Sequence, residues 1–227
     1  MTNNPVRKLI DEIPCYSILT EEQKLTVQNS SYIISYASGD ALFRHSTPVS
    51  HIMFVHSGLV KIFKTQQTNR TFIFDFISSG KFVALLTIFS RDLYHYNATA
   101  VEDSEVLLTD ISVIRKIILE NGEFASLLLK ETSEEGLGIS MKFMSLFQKQ
   151  LPGRVAEMLL FFSEEIYHSQ KFSIPLSRRE LAEFIGTTKE SMIRTLAEFK
   201  HDKIIKLEGQ EVEIISIDIV QALGRFG

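Results

Sequence analysis

The stretch Ile174-Pro-Leu-Ser-Arg-Arg-Glu-Leu-Ala-Glu-Phe-Ile-Gly-Thr-Thr-Lys-Glu-Ser-Met-Ile-Arg-Thr-Leu-Ala-Glu-Phe-Lys200 decides the reading of this 227-residue chain. Ser177 and Glu180 have capping-box spacing, in which side chains satisfy the free N–H groups of a helix start. Leu181, Ala182 and Ile185 then recur on one face. Gly186 stops the helix, because glycine takes positive φ after a last turn without penalty. Only Thr187 and Thr188 precede a second helix, from Lys189 to about Lys200, with Met192, Leu196 and Phe199 facing in. Two short helices joined by a tight glycine turn form a helix-turn-helix.

The motif assigns chemistry to its outward residues. In a helix-turn-helix, the N-terminal end of the second helix meets base edges in the major groove. Lys189, Glu190, Ser191 and Arg194 occupy its first two turns. Arginine can donate two hydrogen bonds to guanine, and glutamate can accept from cytosine N4. Arg178, Arg179 and Thr188 sit where phosphate contacts fix register without reading sequence. Glu190 has a second reading, as the capping-box acid of Thr187. The whole motif also has one, as an interaction module whose helix pair binds protein.

Charge is compatible with the DNA reading when taken locally. The chain carries net −4. Between Lys171 and Lys206, however, eight Lys/Arg face five Asp/Glu, leaving +3 on the segment that would meet DNA. Downstream, Lys203-Ile-Ile-Lys-Leu207 and Val212-Glu-Ile-Ile-Ser216 flank Gly209 and read as a hairpin, the wing. Ile217–Phe226 reads as a short closing helix.

Upstream, Leu151-Pro152-Gly153 breaks the chain and predicts a hinge, followed by an amphipathic helix over 154–168. Glu123–Gln150 reads as one long helix with a weak point at Glu134-Glu-Gly-Leu-Gly138, where each glycine costs about 1 kcal/mol relative to alanine. A long helix between two globular parts has little of its own chain to bury against, so a partner helix is expected. Leu128, Ile139, Phe143 and Leu146 are the residues expected to meet it. The alternative is an ordinary core helix.

Residues 31–110 change character. Tyr32–Tyr36, Ile52–Val55, Val60–Phe63, Thr71–Ile77, Ala98–Val101 and Val106–Thr109 are short β-branched and aromatic runs. Ser38-Gly39-Asp40, Ser57-Gly58 and Ser78-Ser79-Gly80 punctuate them. This spacing fits an antiparallel sandwich, roll or barrel. Before it, residues 1–30 predict one or two short helices, with a capping box at Thr20-Glu-Glu-Gln23. The fold class is therefore α+β, with expected domains at 1–122, 123–150 and 151–227.

Other classes are excluded by what is missing. No run approaches the ~18 apolar residues of a membrane span, and the charged N-terminus is not a secretory signal; a cytoplasmic protein is expected. The single cysteine, Cys15, rules out an intrachain disulfide and a four-cysteine cluster within one chain. There is no nucleophile elbow, Gly-rich phosphate loop or His-Glu-x-x-His, so the chain does not read as an enzyme.

The pieces together resemble the Crp/Fnr family of regulators over about residues 10–220. Lys189-Glu-Ser-Met-Ile-Arg194 is similar to that family's basic-Glu-Thr-apolar-x-Arg recognition helix. Gly153-Arg-Val-Ala-Glu-Met-Leu-Leu160 resembles its Gly-Arg-apolar-Ala opening. Ser38-Gly-Asp40 and Phe54–Phe63 resemble the turns of cyclic-nucleotide-binding modules. The resemblance implies an N-terminal antiparallel β-roll, cupin-like in topology, then a long dimerisation helix and a C-terminal winged helix-turn-helix. It also implies a homodimer on double-stranded DNA that works with RNA polymerase.

The family's nucleotide pocket is altered. Gly-Glu-Leu against ribose is replaced by Ala84-Leu85-Leu86, Arg-Ser-Ala against phosphate by Tyr96-Asn97-Ala98, and the Thr-Ser pair of the long helix by Ile139-Ser140. A buried phosphate without a cation is costly, so tight binding of cAMP or cGMP is not expected. Phe82, Leu85, Leu86, Phe89 and Tyr96, with Asn97, Ile139 and Ser140, suit either an apolar small-molecule effector or a filled core. No cofactor is predicted. His45, His51, His56 and His95 read as surface or hydrogen-bonded groups rather than haem ligands.

Overall fold

A computed structural model describes residues 4–68, 70–88, 90 and 93–227. The chain divides into two compact units. The first comprises residues up to Lys64 with Phe74–Ile139; the second comprises Thr65–Ile73 with Ser140–Gly227. The architecture is α+β.

Three short helices open the first unit: α1 (Pro5–Glu12), α2 (Pro14–Ser17) and α3 (Glu21–Asn29). The expected capping box starts α3, with Thr20 and Gln23 bonded reciprocally. The strands follow as β1 (Ser31–Tyr36), β2 (Ala41–Phe43), β3 (His51–Ser57), β4 (Leu59–Thr65), β5 (Thr71–Ser78) and β6 (Phe82–Val83). After α4 (Leu85–Ile88) come β7 (Asn97–Ala100) and β8 (Ser104–Asp110). They form two four-stranded sheets, ordered β1-β8-β3-β6 and β2-β7-β4-β5. Six of the strands were legible as apolar runs. Strands β2 and β6, of three and two residues, are too short to show alternation.

The tight corner between β3 and β4 needs Gly58. Its φ is +92°, and a Cβ there would lie 2.2 Å from Ser104 Oγ. Between the sheets and the opening helices lies an apolar core in which Tyr16 packs on Phe82 at 6.1 Å and on Phe124 at 5.9 Å. Burial of a phenylalanine such as Phe82 or Phe124 stabilises the fold by about 1.5–3 kcal/mol.

Helix α5 (Ile111–Glu120) is capped by Asp110, which accepts hydrogen bonds from the Ser112 amide and hydroxyl. Helix α6 then runs uninterrupted from Gly122 to Gln148, about 40 Å at 1.5 Å per residue. Gly136 and Gly138 therefore lie inside the helix rather than breaking it. One dimer-face residue is corrected. Leu128 is only 2% exposed and, with Phe124, belongs to the core of the first unit. The first turns of α6 are core helix, and a residue buried there cannot meet a partner.

In the second unit, α6 ends where a break was expected, and α7 (Leu151–Leu160) begins with a proline in its first turn, where the missing N–H has no partner to lose. The break is not loose. Lys149 Nζ donates to Glu157 and to the Gly224 carbonyl, and Ser145 Oγ donates to Glu157. A π-helical turn (Phe161–Ile166) continues α7. Then come β9 (Lys171–Ser173), α8 (Arg178–Phe184), α9 (Lys189–His201), β10 (Ile205–Glu208), β11 (Glu211–Ile214) and α10 (Ile217–Phe226). The wing is three-stranded, ordered β10-β11-β9. The short β9, paired through Phe172 and Val212, had no distinct signal in the sequence.

Candidate nucleic-acid interface

Local chemistry sets the two helices. Ser177 accepts from the Glu180 amide at 3.2 Å, and the Glu180 carboxylate accepts from the Ser177 amide at 2.9 Å. The α8 helix stops at a left-handed Gly186, φ +64°. The free carbonyls at its end are held by Arg154 of α7, whose Nη1 donates to Ile185 O at 2.8 Å and to Gly186 O at 3.2 Å. Arg154 was noticed only as part of an opening motif; its role as a clamp needs tertiary structure to be seen.

Thr188, not Thr187, is the N-cap of α9. Its hydroxyl accepts from the Ser191 amide at 3.2 Å. This shift of one residue removes the capping reading of Glu190, since the third position of the helix is now Ser191. It also changes two assignments. The Thr188 side chain is engaged in capping, and Ser191 is half-buried with its hydroxyl 3.1 Å from that of Thr188.

The remaining residues of α9 divide cleanly. Met192, Thr195, Leu196 and Phe199 are buried. Lys189, Glu190 and Arg194 are exposed, as expected of base-reading positions. Ile193, 45% exposed, lies between them on the same stripe and was missed. Counting three and four residues on from Glu190 would have found it along with Arg194. An exposed isoleucine there offers apolar contact to a thymine methyl.

The flanking cations are engaged to different degrees. Arg178 is half-buried and donates to the Gly209 carbonyl at the wing tip; its burial lowers the guanidinium pKa. It ties α8 to the wing. Arg179 is exposed and pairs with Glu183 at 2.9 Å, a solvated pair of small energy that a phosphate can displace. Lys200 donates to Leu207 O at 2.9 Å, and Lys206 pairs with Glu213 at 3.2 Å.

The expected effector pocket in the first unit is in part a filled core. Phe82 lies edge-on to Phe54 at 5.1 Å, and both it and Leu85 are buried in the core cluster. Leu86 is partly exposed. Tyr96 packs against that core, its hydroxyl 3.1 Å from Thr87 Oγ1. Asn97 accepts from the His45 amide at 3.0 Å and donates to Phe63 O at 3.4 Å, joining strands rather than facing a ligand. Ile139 is half-buried and Ser140 exposed. Phe89 lies outside the described residues. His45 bonds Ser46 Oγ, and His51 bonds Tyr32 and Ser50. Among the described residues, no group of three or more His, Cys, Asp or Glu is arranged to hold a metal ion. No helix among them is long and apolar enough to cross a membrane.

Comparison with known proteins agrees with this arrangement. Residues 33–121 match the cyclic nucleotide-binding domain family, and residues 153–223 match the Crp-like helix-turn-helix domain family. The CRP-like cAMP-activated global transcriptional regulator of Mycobacterium tuberculosis is 23% identical over 185 residues, spanning 80% of this chain and 83% of that protein. The transcriptional activator protein anr of Pseudomonas aeruginosa is 24% identical over 191 residues, spanning 82% and 78%. The structure of FixK2 from Bradyrhizobium japonicum superposes with a TM-score of 0.79 at 22% identity, covering 85% of this chain and 96% of that one.

A cyclic-nucleotide-binding-type roll in one chain with a Crp-like helix-turn-helix defines a DNA-binding transcription regulator. The chain belongs to the Crp/Fnr family.

Proposed function

We propose that this regulator binds a two-fold-symmetric DNA site as a homodimer in the cytoplasm. Glu190 and Arg194 read bases, Lys189 assists, and Ile193 adds apolar contact. Arg179 contacts phosphate. Arg178 and Thr188 hold the motif in register, with phosphate contact as a second role. Ser191 acts mainly through the helix start. The observation that carries this reading is the outward stripe Lys189, Glu190, Ile193 and Arg194 above buried Met192, Leu196 and Phe199.

The homodimer reading is supported by α6. Leu137, Met141, Met144 and Phe147 are exposed at spacings of four and three residues, Phe147 at 86%. An apolar stripe of this period suits a partner helix. On the opposite face of the helix, Ile139 is half-buried, Phe143 stacks on Phe72 at 5.8 Å, and Leu146 lies by the Gly186 turn of its own unit. The seam therefore centres on Leu137, Met141 and Met144 rather than on Leu146. RNA polymerase is the expected protein partner, by family.

The roll is read as unresponsive to cAMP at physiological levels, because Leu85 and Tyr96 stand where a ribose acceptor and a phosphate cation would be needed. The test of the base-reading assignment is Arg194→Ala on the preferred duplex. It is expected to weaken binding by about 1–3 kcal/mol and to relax preference at one base pair. Unchanged affinity and preference would overturn it.

A further inference from the structure

Three lysines beyond the base-reading stripe share a groove. On α9, Lys189, Ile193, Ala197 and Lys200 are exposed at spacings of four, four and three residues. The seven residues from Ile193 to Lys200 bring the two side chains within about 20° of one another around the helix. The stripe that meets base edges therefore runs on to a cation at the far end of α9. Lys200 Nζ donates to Leu207 O at 2.9 Å, which draws it toward β10. There Lys200, Lys203 and Lys206, all exposed, line a groove of about 280 Å³ together with Ile205, Leu207 and Ile215. Glu208 is the one acid among the lining residues, so three cations face a single carboxylate.

Lys203 adds an independent observation. It stands in the turn between α9 and β10 with φ +59°, a backbone conformation that glycine adopts freely and that strains a residue carrying a Cβ. Strain of this kind persists where the side chain has a use that glycine could not serve. Lys200 bonds Leu207 O and Lys206 pairs with Glu213. Lys203 has no such side-chain partner among the described residues.

We propose, building on the base-reading role of α9, that this groove seats a backbone phosphate of the DNA flanking the bases that α9 reads. Lysine binds phosphate as a point charge. The apolar walls serve the same end, because a cleft of one sign with low-dielectric walls concentrates its field. The exposed Lys206–Glu213 pair is weak enough for a phosphate to displace. A carboxylate of an acidic protein would satisfy the same lysines, but the groove continues the exposed stripe of α9, which favours the duplex. The contact adds affinity and fixes register without reading sequence.

The experiment measures affinity of the full-length protein for its preferred duplex and for a scrambled one across about 0.05 to 0.3 M salt. With one seat in each subunit of a dimer, Lys203→Gly is expected to lower the slope of log affinity against log salt by about 2 on both duplexes, leaving the preference between them unchanged. Affinity at about 0.1 M salt falls by more than roughly fivefold. Glycine relieves the strained turn, so the melting temperature of Lys203→Gly is expected to hold or rise as affinity falls. Lys206→Gln, at an exposed strand position, is expected to lower the slope as well. An unchanged slope in both variants would overturn the seat and leave an acidic protein segment as the partner of these lysines. A change in base preference would overturn it too, by making the lysines base readers. Absence of duplex binding by the unaltered protein, or unchanged preference in Arg194→Ala, counts instead against base reading by α9.

Discussion

Arg154 closes the end of α8 by donating from one guanidinium nitrogen to two successive carbonyls, Ile185 O at 2.8 Å and Gly186 O at 3.2 Å. The turn that sets the angle of α9 is thus held by a side chain from α7, thirty-one residues earlier than Ile185. Hydrogen bonds from a charged donor contribute about 1.5–3 kcal/mol.

Arg154→Ala is therefore expected to destabilise the second unit by about that amount. DNA affinity falls with it, while the order of preferred bases is retained. Urea unfolding and a competition assay over sequence variants check both parts. Altered base preference would mean that Arg154 reads DNA directly.

Gly186 and Gly209 make a matched pair. Both have left-handed φ, +64° and +60°, but a Cβ on Gly186 would meet Leu146 Cδ2 at 3.3 Å, whereas one on Gly209 meets nothing within 4 Å. Each alanine substitution carries a backbone cost of about 1–2 kcal/mol. Gly186→Ala adds the cost of moving Leu146, so its melting temperature is expected to fall further than that of Gly209→Ala.

Two leucines of α6 separate folding from association. Leu128→Ala opens a cavity in the core of the first unit and is expected to cost about 2–5 kcal/mol. Leu137→Asp touches an exposed position, so the protomer is expected to stay folded while the dimer weakens. Thermal melts and sedimentation velocity distinguish the two. Unfolding by Leu137→Asp would move the seam elsewhere.

The helix-turn-helix was legible because its signals are local. Ser177 with Glu180, Gly186, and the period of Met192, Leu196 and Phe199 are each set by neighbours a few residues away. The one-residue slip from Thr187 to Thr188 reflects two adjacent threonines with equal capping chemistry. The misplacement of Leu128 on α6 has a different origin. A helical stripe does not say which element covers it, so Leu128, buried by its own unit, looked like Phe143 or Leu146. Asn97 likewise stood where a ligand contact would be, yet tertiary pairing commits it to His45 and Phe63.

Two copies of α9 are expected to read a symmetric duplex. Selection from a random duplex library with the full-length protein tests it most directly. Enrichment of a palindrome whose half-sites lie about one helical turn, roughly 34 Å, apart is expected. Recovery of an asymmetric site, or of no site by folded and dimeric protein both alone and supplemented with cell extract, would contradict it.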